Sequence, residues 1–205
     1  IIRDFANNFN EAKIILIDNL MTQRYASLFN LPKNGNYQFF EKNINEFDLE
    51  SILEPNDIVI HLAAITDAAG SVNNADELEE NNYNTTFKVA NACLEAGASL
   101  ISLSSTSVYG TQKLIVSEDC CEDELKPQSP YAITKLKEEK LVTDLIKKGL
   151  KAIILRFGTI YGISQGMRFH TAVNKFCWQA SMGQPITVWE TAYDQKRPYL
   201  DLNDA

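Results

Sequence analysis

The chain is poor in the groups that metal centres, disulfide frameworks and nucleic-acid surfaces need. Its 205 residues include 2 histidines and 4 cysteines. His61 and His170 stand far apart in sequence, and among Cys93, Cys120, Cys121 and Cys177 only Cys120 and Cys121 are neighbours. Adjacent cysteines seldom bridge without strain, and zinc needs a second cluster of ligands. No metal is therefore expected, and the thiols read as reduced and cytoplasmic. A net charge of -8 argues against nucleic acid or an anionic membrane as the main partner. No apolar run approaches the roughly 20 residues of a membrane span, and no basic start with a short apolar stretch and cleavage site marks a secretion signal. Repeats and low-complexity tracts are missing too. What is there is ordinary for a soluble globular chain, with 45% apolar and 22% charged residues. That length can bury one sizeable core, as one domain or two.

Apolar runs alternate with helical patterns. Residues 13–18, 57–62, 100–104 and 151–156 read as strands whose continuous hydrophobicity suits a parallel sheet covered on both faces. Tyr83, Phe87, Ala90 and Leu94 make one apolar stripe at helical spacing, ended by Gly97. A second helix starts after Pro130, carries Leu141, Val142, Leu145 and Ile146, and closes at Gly149. Strands separated by helices predict an α/β fold with a doubly wound, Rossmann-like parallel sheet. The chain opens inside an apparent helix over 1–9, with neither the first strand nor the glycine-rich turn that such a sheet normally begins with. It reads as a piece of a longer protein. On its own it is expected neither to hold a dinucleotide tightly nor to turn over.

One spacing carries the most chemistry. Tyr131-Ala132-Ile133-Thr134-Lys135 follows Ser104-Ser105-Thr106-Ser107-Val108-Tyr109-Gly110. On a helix the Tyr131 phenol and Lys135 ammonium share a face. Tyrosine, with a pKa of about 10, is a poor base at neutral pH. Bringing it near 7 takes roughly 4 kcal/mol, within reach of a fixed ammonium and a cationic cofactor ring. A serine at the end of a neighbouring strand then holds the substrate oxygen. The pattern predicts a proton-relay site beside a hydride acceptor.

Taken in order, Asp18-Asn19-Leu20, His61-Leu62-Ala63-Ala64, Asn81, Ser104-Ser105, Tyr131 with Lys135, and Arg156-Phe157 resemble the extended short-chain dehydrogenase/reductase family, most of all its nucleotide-sugar epimerase and dehydratase branch. The resemblance covers nearly the whole chain and implies NAD as cofactor. It places Asp18, with Asn19, at the adenosine ribose, where a carboxylate would repel a 2'-phosphate; a strand-terminal turn aspartate is the alternative. Asn43 and Ile44 would flank adenine, with asparagine where the family usually has an acidic residue. Leu62, Ala63 and Ala64 would floor the pyrophosphate and nicotinamide ribose, or simply pack a strand end. Asn81 would open the next helix at the cofactor, or only cap it. Ser104 would line the nicotinamide ribose, with Phe157 near the ring.

Ser105, Tyr131 and Lys135 would be the catalytic group, and Thr66, Thr106, Thr159 and Arg197 would meet the substrate. Arg197 would grip a diphosphate through two parallel bonds, or sit on the surface. Tyr109 reads as lining, His61 as buried on its strand with one backbone partner, and His170 as structural or exposed. Residues 1–160 would form the dinucleotide-binding domain and 161–205 the start of a truncated substrate domain. The 4,6-dehydratase branch usually has Asp-Glu directly after its catalytic threonine; here those positions hold Thr106 and Ser107. That favours an NAD-dependent nucleotide-sugar epimerase acting through a transient ketone. A sugar-nucleotide reductase, dehydrogenase or dehydratase, or a non-catalytic NAD binder, stays open. Family members commonly pair as homodimers through a four-helix interface, for which the helices around Asn84 and Tyr131 are the candidates.

Overall fold

The computed structural model describes residues 1–66, 74–111, 115–190 and 193–205. They form two compact units, one of residues 1–47 with 161–187 and one of 48–160 with 188–205.

The first unit holds α1 (Ile2–Asn8), β1 (Lys13–Asp18), β2 (Asn36–Glu41) and α4 (Ala172–Ser181). β1 and β2 run parallel, with Lys13 opposite Asn36 and Asp18 opposite Glu41. β2 has no counterpart among the strands expected from sequence. Its Asn-Tyr-Gln-Phe-Phe-Glu run mixes amides into the apolar pattern, and most of it is exposed. Within this unit Arg24 Nη1 donates to the Gly166 carbonyl at 3.1 Å, tying the 161–187 segment to the turn that follows β1.

The second unit carries β3 (Ile58–His61), α2 (Ala75–Ala96), β4 (Ser99–Ser105), α3 (Pro130–Ile146) and β5 (Lys151–Phe157). β3, β4 and β5 form a parallel sheet in that order. Short strands β6 (Thr159–Tyr161) and β7 (Tyr199–Asp201) pair with each other. Pattern and position agree for the four expected strands and both long helices. α2 ends on Gly97, whose φ of 73° is the left-handed conformation that glycine adopts without a Cβ penalty. α3 begins on Ser129, whose hydroxyl accepts from the Ala132 N–H at 3.2 Å, with Pro130 at the first helical position.

Packing departs from the simple apolar reading. α2 buries Leu78, Asn82, Thr85, Thr86, Val89, Ala90 and Cys93, while Phe87 of the expected stripe is 51% exposed. α2 packs closely on α3, where Thr86 meets Glu138, while Asn82 turns to the Ile65 backbone and Thr85 to the Asn81 carbonyl. α3 likewise turns Val142 and Leu145 inward and leaves Ile146 partly exposed. On the sheet, Leu100, Ser102 and Ser104 are buried on the side of α2 and α3. Ile58 and Ile153 lie on the opposite side and are mostly exposed, so within this unit the helices cover one face of the sheet.

Candidate active site

α3 packs against β4 and the helical turn that follows it. Tyr131 sits in the first turn of α3, half-buried, and Lys135 lies one turn further in, buried. The Lys135 ammonium lies 5.9 Å from the centroid of the Tyr131 ring. Its described partner is a carboxylate that sequence reasoning missed: Glu138 Oε2, at 2.9 Å. The same oxygen accepts from Thr86 Oγ1 at 3.0 Å, and Thr86 Oγ1 in turn meets His61 Nε2 at 3.1 Å. His61 is therefore buried as expected, but its partner is a side-chain hydroxyl of α2. Burial, assisted by the Lys135 charge, pulls His61 down to about 4, and burial pushes the Glu138 carboxyl up.

Ser105 closes β4 and caps a single helical turn over 106–109. Its Oγ accepts from the Ser107 N–H at 3.2 Å and from the Ser107 hydroxyl at 2.9 Å. A serine hydroxyl has two lone pairs and one proton. Both lone pairs are engaged, so Ser105 is left with one capacity, to donate. Phe157 is opposite Ser105 across the β4–β5 ladder. Thr106 is half-buried beside it, and Thr159 is exposed beyond it.

Ser104 points the other way. It is buried and donates to Glu139 Oε1. Glu139 also receives Arg156 through both oxygens, Nε to Oε1 at 2.9 Å and Nη2 to Oε2 at 2.6 Å. Arg156 Nη1 donates to the Tyr109 hydroxyl at 3.1 Å, and the guanidinium lies 4.9 Å from that ring's centroid. Tyr109 thus lines this network.

Leu62 and Ala63 are exposed at the end of β3, with Ala64 and Thr66 half-buried after it. The loop there is held by Asn82, 1% exposed, whose amide accepts from the Ile65 N–H at 2.7 Å and donates to the Ile65 carbonyl at 2.9 Å. Asn81, expected to open or cap the helix, lies inside α2, whose cap is Asn74, and donates to Asn82 Oδ1 at 3.0 Å. Gly158 admits the backbone of Pro198, whose oxygen would lie 2.7 Å from a Cβ there and accepts from the Thr159 N–H at 3.0 Å. Arg197 is exposed and donates to Gln195 through Nε and Nη2. His170 is exposed.

In the first unit, Asp18 and Asn19 are exposed at the end of β1. Asp18 Oδ1 accepts from the Leu20 N–H at 2.7 Å, which holds Leu20 at a φ of 52°. The Asp18 carbonyl accepts from Lys42, just before Asn43 and Ile44, which are half-buried. Asn43 Oδ1 caps the next turn by accepting from the Asn45 N–H.

These features match a known family over almost the whole chain: residues 5–205 fit the NAD dependent epimerase/dehydratase family. The chain belongs to that family. A Bacillus subtilis (strain 168) protein, the uncharacterized UDP-glucose epimerase YtcB, is 33% identical over 88% of this chain and 56% of its own length. A dTDP-D-glucose 4,6-dehydratase of Dictyostelium discoideum is 32% identical over 77% of this chain and 40% of its own. Among solved structures, the UDP-glucuronic acid 4-epimerase of Bacillus cereus, in complex with UDP-glucuronic acid and NAD, superposes with a TM-score of 0.82 at 27% identity, over 99% of this chain and 65% of that one. The chain spans about half the length of the curated relatives it matches.

NAD is the cofactor of this family. The residues present suit it. In the first unit an exposed carboxylate closes β1; in the second, Leu62 and Ala63 stand open at the end of β3 and a buried ammonium lies beside a half-buried phenol. Among the described residues no cluster of His, Cys, Asp or Glu could hold a metal, and no helix is long and apolar enough to cross a membrane.

Proposed function

We propose that the protein containing this chain is an NAD-dependent epimerase acting on a nucleotide sugar through a transient ketone. The observation that carries this reading is the Lys135 ammonium held 5.9 Å from the Tyr131 ring centroid by a buried carboxylate. A cation so placed favours the phenolate. Tyr131 then takes the proton from a sugar hydroxyl and later returns it. Ser105 donates its one proton to the same sugar oxygen. Lys135 also serves the nicotinamide ribose. NAD, when bound, would supply the hydride acceptor and would not be consumed over a full epimerisation. Asp18, Asn19, Asn43 and Ile44 are assigned to the adenosine half of NAD. Leu62, Ala63, Ala64, Asn81 and Phe157 are assigned to its pyrophosphate and nicotinamide half, with Ser104 there through its backbone alone, since its hydroxyl is given to Glu139. Thr66, Thr106, Thr159 and Arg197 are assigned to the sugar nucleotide. Residues 1–160 would then be the dinucleotide-binding domain and 161–205 the start of the substrate domain.

Dehydration is the second reading, favoured by the dehydratase among the relatives. Water elimination needs a further acid and base, whereas Thr106 and Ser107 follow Ser105 and carry no ionisable group. Epimerisation needs none. For assembly, the reading is a homodimer through α2 and α3. Phe87 and Ile133 are exposed there, and a groove of about 400 Å³ is lined by Tyr83, Leu141 and charged neighbours. A reducing compartment such as the cytoplasm suits cysteines that are all free.

The experiment is to purify the full-length protein, assay bound NAD by absorbance, and follow exchange between nucleotide-sugar epimers without added reductant. Bound NAD with exchange is expected. Bound NAD without turnover across a broad sugar-nucleotide panel would make the protein a binder.

A further inference from the structure

Lys135 and Glu138 lie one turn apart on α3 and both face inward, 6% and 3% exposed. Glu138 Oε2 takes two donors, Lys135 Nζ and Thr86 Oγ1. Thr86 has a single hydroxyl proton, and it is spent on Glu138. Its contact with His61 Nε2 therefore requires the proton to sit on that ring nitrogen. Lys135 of α3 and Thr86 of α2 donate to the carboxylate, and His61 of β3 donates to the Thr86 hydroxyl.

Burial raises the Glu138 carboxyl, with Lys135 and Thr86 opposing and Glu139 adding. Glu139 is itself taken by Arg156 of β5 and Ser104 of β4. Glu138 Oε1 is buried with no hydrogen-bond partner among the described residues. A buried carboxylate with one oxygen unfilled is an expensive way to fill space, since an alkyl side chain packs there without that cost. Its contact with Lys135 gives it a use.

We propose that Glu138 is a positioning residue: it fixes the Lys135 ammonium beside the Tyr131 ring and supplies the counter-charge that lets an ammonium persist there, while Thr86 and His61 fix Glu138. The proposal rests on reading Tyr131 and Lys135 as the reacting pair.

The test compares the full-length wild type with Glu138→Gln and Thr86→Val. NAD affinity is measured by calorimetry from neutral to about pH 9.5, and epimer exchange is measured on UDP- and dTDP-sugars. Glu138→Gln keeps the shape and loses the charge. It is expected to weaken NAD binding by about tenfold at the alkaline end and much less near neutrality, because a buried ammonium without its counter-ion gives up its proton as pH rises. Thr86→Val is expected to move the same way by a smaller factor, which decides the matter if Glu138→Gln does not fold. Profiles that overlay the wild type overturn the inference, and so does a loss uniform across pH, the mark of a packing defect. A wild type that binds NAD but exchanges no epimers removes the epimerase reading, and the pH profile still decides Glu138. Exchange by the wild type with unaltered profiles in both variants removes Glu138 alone.

Discussion

Glu139 grips Arg156 through both carboxylate oxygens, at 2.9 and 2.6 Å, joining α3 to β5 directly behind the candidate site. The pair is mostly buried, with side-chain exposures of 9% and 21%, and it also engages Ser104 and Tyr109. Removing one member leaves the other charged and unpaired, which costs more than the pair contributes. Arg156→Met is expected to lower unfolding free energy by about 3 kcal/mol. Urea unfolding of the variant checks it, and a loss below about 1 kcal/mol would mean that water reaches and solvates Glu139.

Ser105 is expected to behave as an obligate donor. Both of its lone pairs are occupied by Ser107. Ser105→Ala should cost roughly a hundredfold or more in kcat, the scale of losing one donor to a developing negative oxygen. Ser107→Ala should cost less, about tenfold, and Ser107→Thr should restore it because the hydroxyl is retained. Steady-state kcat and KM values decide. Equal rates for Ser107→Ala and the wild type would show that Ser105 needs no help in pointing its proton.

His61 ties stability to acidity. Its folded pKa, about 4, lies below the ordinary 6.5, with burial the larger cause and the Lys135 charge the lesser. Above pH 6.5 both folded and unfolded chains hold a neutral ring, and its contribution is complete. As pH falls from 6.5 toward 4 the unfolded chain takes up the proton first, and stability drops by up to about 1.4 kcal/mol per unit. Glu138, raised by burial, acts in the opposite sense, contributing most below the ordinary carboxylate range and less as pH rises through its own value. His61→Gln should flatten the acid-side fall in unfolding free energy measured at several pH values. An unchanged slope would show that the ring takes up its proton without unfolding.

What could be read in advance follows from which forces act locally. The four expected strands, the Gly97 stop and the helix start at the proline were legible because runs of apolar residues, a left-handed cap and a proline at a helix start are local features. β2 was not, since its amide-broken pattern becomes a strand only by pairing with β1. Tyr131 and Lys135 were visible through spacing. Glu138 and Glu139 were equally visible as letters, three and four residues after Lys135 on the same helical face, yet nothing in sequence says which cation each one meets. Asn81 and Asn82 are adjacent, and a helix turns them about 100° apart, so only the packed helix shows that Asn82 reaches the backbone of Ile65. The Tyr83–Phe87 stripe misled because amphipathic patterning assumes that the apolar side is the inner one, and here threonines and an asparagine line that side.

The most direct measurement is epimer exchange by full-length protein carrying Tyr131→Phe, with NAD content assayed in parallel. Loss of the phenol is expected to lower the exchange rate by about a hundredfold to ten-thousandfold while NAD remains bound. Exchange at the wild-type rate in that variant would contradict the assignment of proton transfer to Tyr131, and with it the account of the site.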